Sequence, residues 1–300
     1  MMFRKYPPAR PRDAPGRSCG PSRARRDVRS VPTGGGGLTA ISLGEMLAGY
    51  DHLLAAARRL QWDAEAISLD RDQERLRALA PTTRAQLLTL VAGFVVAEHA
   101  VADTLEPFVA AAAELDPDPS AAACFAAQAA DERRHARWFD RLAGELLGLD
   151  RDTAQRAAPA ALRELFEAEL PATARELAAR TEPAQLAAAV GLYHVVLEGI
   201  VFAVGQEALL ELAREHGLEG VAAGVARVQG DERWHVGLGV LALQRLGAPV
   251  EVQAPARRAI SAWGPSIATA ARSEHVLAAH ARRLMIAGDL RSAAPSSAIS

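Results

Sequence analysis

The pattern Asp-Glu-Arg-x-His occurs twice in this chain, as Asp131-Glu132-Arg133-Arg134-His135 and as Asp231-Glu232-Arg233-Trp234-His235. A glutamate and a histidine three apart share one face of an α-helix, about one turn from each other, and can grip one ion from that face. Each copy comes one long apolar segment and a break after an isolated glutamate: Glu98 in Val95-Val96-Ala97-Glu98, and Glu198 in Val195-Val196-Leu197-Glu198. A carboxylate left alone in such surroundings is expensive to bury. Metal binding explains both, and the duplication makes the chain an internal repeat of two helix pairs whose inner faces must meet.

Composition agrees with helices. Alanine and leucine dominate, aromatic residues make up 5% of the chain, and β-branched residues form no alternating runs, so the expected fold is all-α. Pro81 opens a helix reaching about Leu115, the usual place for a proline being the first turn. Asp116-Pro117-Asp118-Pro119 then breaks the chain and offers Asp118 as N-cap of the helix carrying Glu132 and His135, which stops near Gly148. Residues 150–182 read as short helical pieces interrupted by Pro159 and Pro171. Pro183 opens the helix of Glu198, which ends at His216-Gly217, and the helix of Glu232 and His235 ends at Gly247. A helical pattern from about Leu38 to Leu60 comes before these, and a last amphipathic helix spans Pro255 to Ile286. Residues 38–290 are thus expected to form one four-helix domain with accessory helices. A tail rich in Arg, Pro, Gly and Ser, residues 1–37, and a small polar C-terminus, residues 291–300, flank it as disordered segments.

The formal net charge of -2 gives no field that would hold nucleic acid or an anionic membrane,. Cys19 and Cys124 lie far apart and imply no disulfide framework, which suits a reducing cytoplasm. Leu186 to Leu210 is apolar enough to resemble a membrane span, yet His194 and Glu198 sit in its middle. An ionisable pair at bilayer depth is costly, whereas a helix buried around a metal has this character, so no membrane span is expected.

Glu98, Glu132, His135, Glu198, Glu232 and His235 are the candidate ligands. Di-metal sites in helical bundles take a glutamate from each of two helices and a Glu-x-x-His from each of the other two. Carboxylate oxygens with imidazole nitrogens suit iron or manganese and leave positions open for dioxygen. Asp131 and Asp231, each four residues before the histidine of its own helix, are spaced for a hydrogen bond to that imidazole. His194 lies near the ligand face, four before Glu198, while His99 points about 100° away from Glu98 and is read as a non-ligand. Trp62 is read as a core anchor.

At these residues the sequence resembles the ferritin-like superfamily, and within it the small subunit of class I ribonucleotide reductase and its ligand-binding oxidase relatives, over roughly Tyr50 to Leu246. The place of the reductase's radical tyrosine, one turn after the first ligand histidine, is held by Phe139. The oxidases resemble the chain more closely, at Ala97-Glu98-His99-Ala100-Val101, at Tyr193-His194-Val195-Val196-Leu197-Glu198-Gly199 and at Asp231-Glu232-Arg233-Trp234-His235. The resemblance implies a ferritin-like four-helix bundle, a homodimer, an Fe and Mn pair or two Fe, and a long-chain fatty acid held against the metals. It also implies an ether cross-link, carried over to Val101 and Tyr193. In a regular α-helix five residues place Tyr193 roughly 140° from Glu198. Departures from the pattern are Trp234 in place of an arginine, His99 in place of an acid and Phe202 in place of a small residue.

The expected function is a dioxygen-activating oxidase that attacks a strong C–H bond. The alternatives are a soluble desaturase or N-oxygenase, a reductase subunit lacking the radical tyrosine, and a non-catalytic metal-binding bundle.

Overall fold

In the computed structural model, which describes residues 49–247 and 253–293, the described residues form helices and their connections, with no strand. The first helices are α1 (Tyr50–Arg59), α2 (Asp70–Ala78), α3 (Pro81–Ala102), α4 (Glu106–Leu115) and α5 (Pro119–Arg141). The single helix expected from Pro81 to Leu115 is therefore two. Pro107, in the first turn of α4, lacks an N–H, and its ring would meet the carbonyl four residues back, so the helix stops ahead of it,. Asp118 caps α5 as expected, its Oδ1 accepting from the backbone N–H of Ser120 at 3.0 Å,. Past α5 the chain widens into a π-helical turn, π1 (Leu142–Leu147), and ends at Gly148, whose φ of 64° is open to glycine,.

The connection consists of α6 (Arg151–Ala157), α7 (Ala160–Arg163), π2 (Glu164–Glu169) and α8 (Leu170–Ala179). No break occurs at Pro171, contrary to expectation, because the wider turn of π2 relieves the contact a proline ring makes in an α-helix. One long helix follows in three parts: α9 (Pro183–Val190), π3 (Gly191–Phe202) and α10 (Ala203–Glu215). Then come α11 (Glu219–Leu246), α12 (Gln253–Ala259) and α13 (Ala270–Ala293). The last two replace the single helix expected from Pro255 to Ile286, and the turns between them hold Gly264 at φ 79° ahead of Pro265. Residues 291–293, expected to be disordered, belong to α13. The tail at 1–37, the start of the helix expected from Leu38, and residues 294–300 lie outside the described residues.

Three helices and the long composite one close a ring: α3 packs on α5, α5 on α11, α11 on the π3 and α10 parts of the long helix, and α10 on α3. Among the described residues two helices, Pro81–Ala102 and Pro183–Glu215, are long and apolar enough to cross a membrane. The most apolar stretch of the second is 83% buried among the other helices, which is where its apolar surface is spent. Close approach is set by small residues: a Cβ on Gly239 of α11 would come within 2.2 Å of the His194 Cβ. On the opposite side, Gly93 and Gly205 leave a slot filled by the indole of Trp263, whose N–H donates to the Val201 carbonyl at 2.7 Å. Phe94 stacks on Phe139 at 4.5 Å and meets Phe202 at 5.7 Å, so this side of the bundle is a wall of buried rings.

Candidate metal centre

Glu98 comes from α3, Glu132 and His135 from α5, Glu198 from π3, and Glu232 and His235 from α11, all buried. One ligand atom from each of Glu98, Glu132, His135 and Glu232 lie within 4.8 Å of one another, and the same holds for Glu132, Glu198, Glu232 and His235. The sets share Glu132 and Glu232. Each therefore has its own glutamate and histidine plus two common carboxylates, a donor set for two adjacent cations.

Unmet polar atoms point into this cluster. Both oxygens of Glu98, Oε2 of Glu132, Oε2 of Glu198 and Nδ1 of His135 are buried without a hydrogen-bond partner, a cost of about 1–3 kcal/mol each if nothing else engages them. The proton affinities express the same demand for positive charge. Burial raises Glu98 well above the usual carboxylate range and pushes Glu198 up to about 8. Burial also works to raise Glu132, but the imidazoles of His235 and His135 outweigh it and hold this carboxyl well below its ordinary value. Against the same burial, the carboxylates of Asp231 and Glu132 facing its ring lift His135, and the Glu132 charge with Asp131 lifts His235. Divalent cations fit a cluster of oxygens and nitrogens with this imbalance.

The histidines are held by the aspartates, but with exchanged partners. His135 Nε2 lies 3.0 Å from Asp231 Oδ2, and His235 Nε2 lies 3.4 Å from Asp131 Oδ2. Each aspartate thus serves the histidine of the other repeat, contrary to the expectation of a bond within one helix, because an α-helical side chain four residues back shares a face with its neighbour but stands beside the facing helix. With Nε2 donating to a carboxylate, Nδ1 of each ring is left as the acceptor facing the glutamates. Arg134 joins the two halves, 2.7 Å from Asp131 and 2.9 Å from Asp231, and also donates to Gln61 at 3.0 Å. Trp62 does more than fill the core: its indole N–H donates to Asp231 at 2.8 Å.

Tyr193 reaches the cluster through a register the sequence did not reveal. In π3 the backbone bonds run from i to i+5, so residues five apart, Tyr193 and Glu198, come nearly onto one face instead of 140° apart,. The Tyr193 hydroxyl donates to Glu132 Oε1 at 2.7 Å. Gln128 ties this region together: its amide N–H groups reach Glu198 Oε1 at 2.8 Å and the Tyr193 hydroxyl at 3.2 Å, and its Oε1 accepts from His194 Nε2 at 2.9 Å. His194, fully buried, has its pKa driven down to about 3 by that burial. Gln128 was missed from sequence, although it stands four before Glu132 on the same helix face. Gln206 is a second such amide, 3.3 Å from Glu232 Oε1. Val101 is buried in the last turn of α3, one turn beyond Glu98, and His99 turns away to Asp140 at 2.9 Å.

The family model for ribonucleotide reductase, small chain, matches residues 50–263. The chain belongs to this family. Solved structures of R2-like ligand-binding oxidase variants share its fold. One with an anaerobically reconstituted Mn/Fe cofactor is 19% identical, with a TM-score of 0.62 over 82% of this chain and 86% of that one. A second, with an aerobically reconstituted Mn/Fe cofactor, is also 19% identical, with a TM-score of 0.64 over 82% and 93%. A third, anaerobically reconstituted, is 20% identical, with a TM-score of 0.62 over 82% and 89%. Phe139, on α5, is a buried ring stacked on Phe94.

Proposed function

We propose that this chain is a dioxygen-activating di-metal oxidase in which Glu98, Glu132, His135, Glu198, Glu232 and His235 ligate a Mn/Fe or Fe/Fe pair. The observation that carries this reading is the pair of overlapping donor sets sharing Glu132 and Glu232. When bound, such a metal pair supplies redox equivalents and open coordination positions for dioxygen. The chain's own residues do the rest. Asp131 and Asp231 fix the imidazole tautomers, Arg134 balances the two aspartates, and Gln128 orients Glu198 and the Tyr193 hydroxyl. The buried rings of Phe94, Phe139 and Phe202 exclude water from one side.

The likeness to ligand-binding oxidases extends the proposal to an organic ligand, a fatty acid or a molecule like one, and to a C–O bond between the Tyr193 hydroxyl oxygen and Val101. Support for the second comes from the Tyr193 hydroxyl, which sits directly on Glu132. Bond formation removes one hydrogen from the phenol and one from the valine, a two-electron oxidation in which dioxygen is the oxidant. Intact-protein mass after aerobic metal loading tests it: a loss of two hydrogens mapped to the peptides carrying Val101 and Tyr193 is the expected result. An unchanged mass in metal-replete protein favours a desaturase or N-oxygenase acting on a diffusible substrate. A cytoplasmic homodimer is the form the family likeness suggests, and light scattering on the purified protein checks the dimer.

A further inference from the structure

We infer that Trp234 is a one-electron relay to the ion held by His235, passing electrons from an external reductant such as ascorbate when dioxygen reacts with no C–H bond in reach. This rests on the oxidase reading for the identity of the centre, and adds to it a route for electrons that the six ligands do not contain.

Trp234 stands at the position where the two copies of Asp-Glu-Arg-x-His differ, the other copy having Arg134 there. Each ligand histidine has an indole against it. Trp62 faces His135 with ring centroids 6.3 Å apart and planes at 22°, and Trp234 meets His235 edge-on at 4.5 Å. Both indoles are close enough to a ligand ring to exchange an electron with it directly. They differ in how readily they release one.

At Trp62 the Arg134 guanidinium lies 5.2 Å over the ring. Removing an electron there sets a second positive charge beside the first, which Coulomb repulsion opposes. Asp231, the carboxylate that accepts the Trp62 N–H, is shared with Arg134 and His135, so its charge is already engaged. Trp138, 6.4 Å beyond Trp62, has the Arg141 guanidinium 5.8 Å over its own ring. Among the described residues no guanidinium lies over Trp234.

The indole N–H points to the same use. Trp234 is buried and its Nε1 has no hydrogen-bond partner, a cost of about 1–3 kcal/mol that a phenylalanine of similar shape avoids. With no acceptor in reach, an oxidised indole keeps its proton as a radical cation, and an electron restores it with no proton to recover. Reducing dioxygen to two waters takes four electrons and four protons. Two electrons come from the reduced metal pair, and in the cross-linking reaction the other two come from Tyr193 and Val101. Where that bond does not form, the reductant supplies them singly through Trp234 and is itself oxidised, the protons coming from solvent.

Stopped-flow absorption and freeze-quench EPR of full-length Y193F protein, loaded with iron(II) and mixed with dioxygen, test this, because the substitution removes the phenol as an electron source. An indole radical cation is expected in the visible spectrum, with an EPR line that narrows when the protein carries ring-deuterated tryptophan. Ascorbate should shorten its life and be consumed. Y193F/W234F and Y193F/W234Y, each keeping a ring against His235 and matched to Y193F in metal content, should lose the indole signal. Persistence of that signal in either variant, or dioxygen uptake by Y193F without any indole signal, overturns the relay and leaves the oxidase reading standing. No dioxygen uptake by the metal-replete parent protein overturns both.

Discussion

Arg134 lies 2.9 Å from Asp231, a carboxylate of the other half of the repeat, and 2.7 Å from Asp131 in its own. One guanidinium therefore balances both aspartates that orient the histidines. This accounts for the break in repeat symmetry at Trp234: with Arg134 already between the two carboxylates, a second arginine at position 234 would add a buried charge without a partner. Trp234 instead packs edge-on against His235 at 4.5 Å.

Replacing Arg134 by methionine leaves two buried carboxylates facing each other. R134M should cost about 3–5 kcal/mol of stability, the range for breaking a buried ion pair from one side. Denaturant unfolding of R134M measures it. The triple variant R134M/D131N/D231N should recover part of the loss, because the uncompensated charges are gone.

Gln128 supplies the amide that holds Glu198 and Tyr193 in place. Q128L keeps the volume and removes these bonds, so metal affinity in a chelator competition should fall about 10–100-fold, as when the partner of a ligand is lost. Equal affinity in Q128L and the parent would remove Gln128 from this role.

His194 is buried and neutral, with its pKa lowered to about 3 by burial against about 6.5 when unfolded,. Between those values the unfolded chain binds the proton and the folded chain does not, so stability is full above pH 6.5 and declines as pH falls toward 3. The contribution to the slope approaches about 1.4 kcal/mol per pH unit. H194Q keeps an N–H for the Gln128 carbonyl oxygen and removes the titration. Unfolding free energies from pH 7 to pH 4 should therefore fall less steeply in H194Q than in the parent.

Much of this was legible in the residues. Proline and aspartate at helix starts, glycine at helix ends and two copies of Asp-Glu-Arg-x-His led to four facing helices and to the six residues that the structure brings together. What could not be read depends on register or on the third dimension. Pro107 ends α3 early and Pro171 ends nothing, a difference decided by whether the chain can widen locally into a π-turn. The same widening around Gly191–Phe202 carries Tyr193 toward the face of Glu198. The exchange of aspartates between histidines needs the packing of α5 on α11, which no spacing within one helix encodes. Gln128 and Gln206 are single neutral polar residues, and nothing in their local sequence separates them from solvated ones.

Metal stoichiometry in single-site variants tests the central claim most directly. Elemental analysis of protein loaded with manganese and iron should find two ions per chain. E98A and E198A should each lose one of them, because Glu98 and Glu198 belong to separate donor sets, and E132A should lose both, because Glu132 belongs to each. Retention of two ions in E132A, or fewer than one ion in the folded parent protein, would contradict the account.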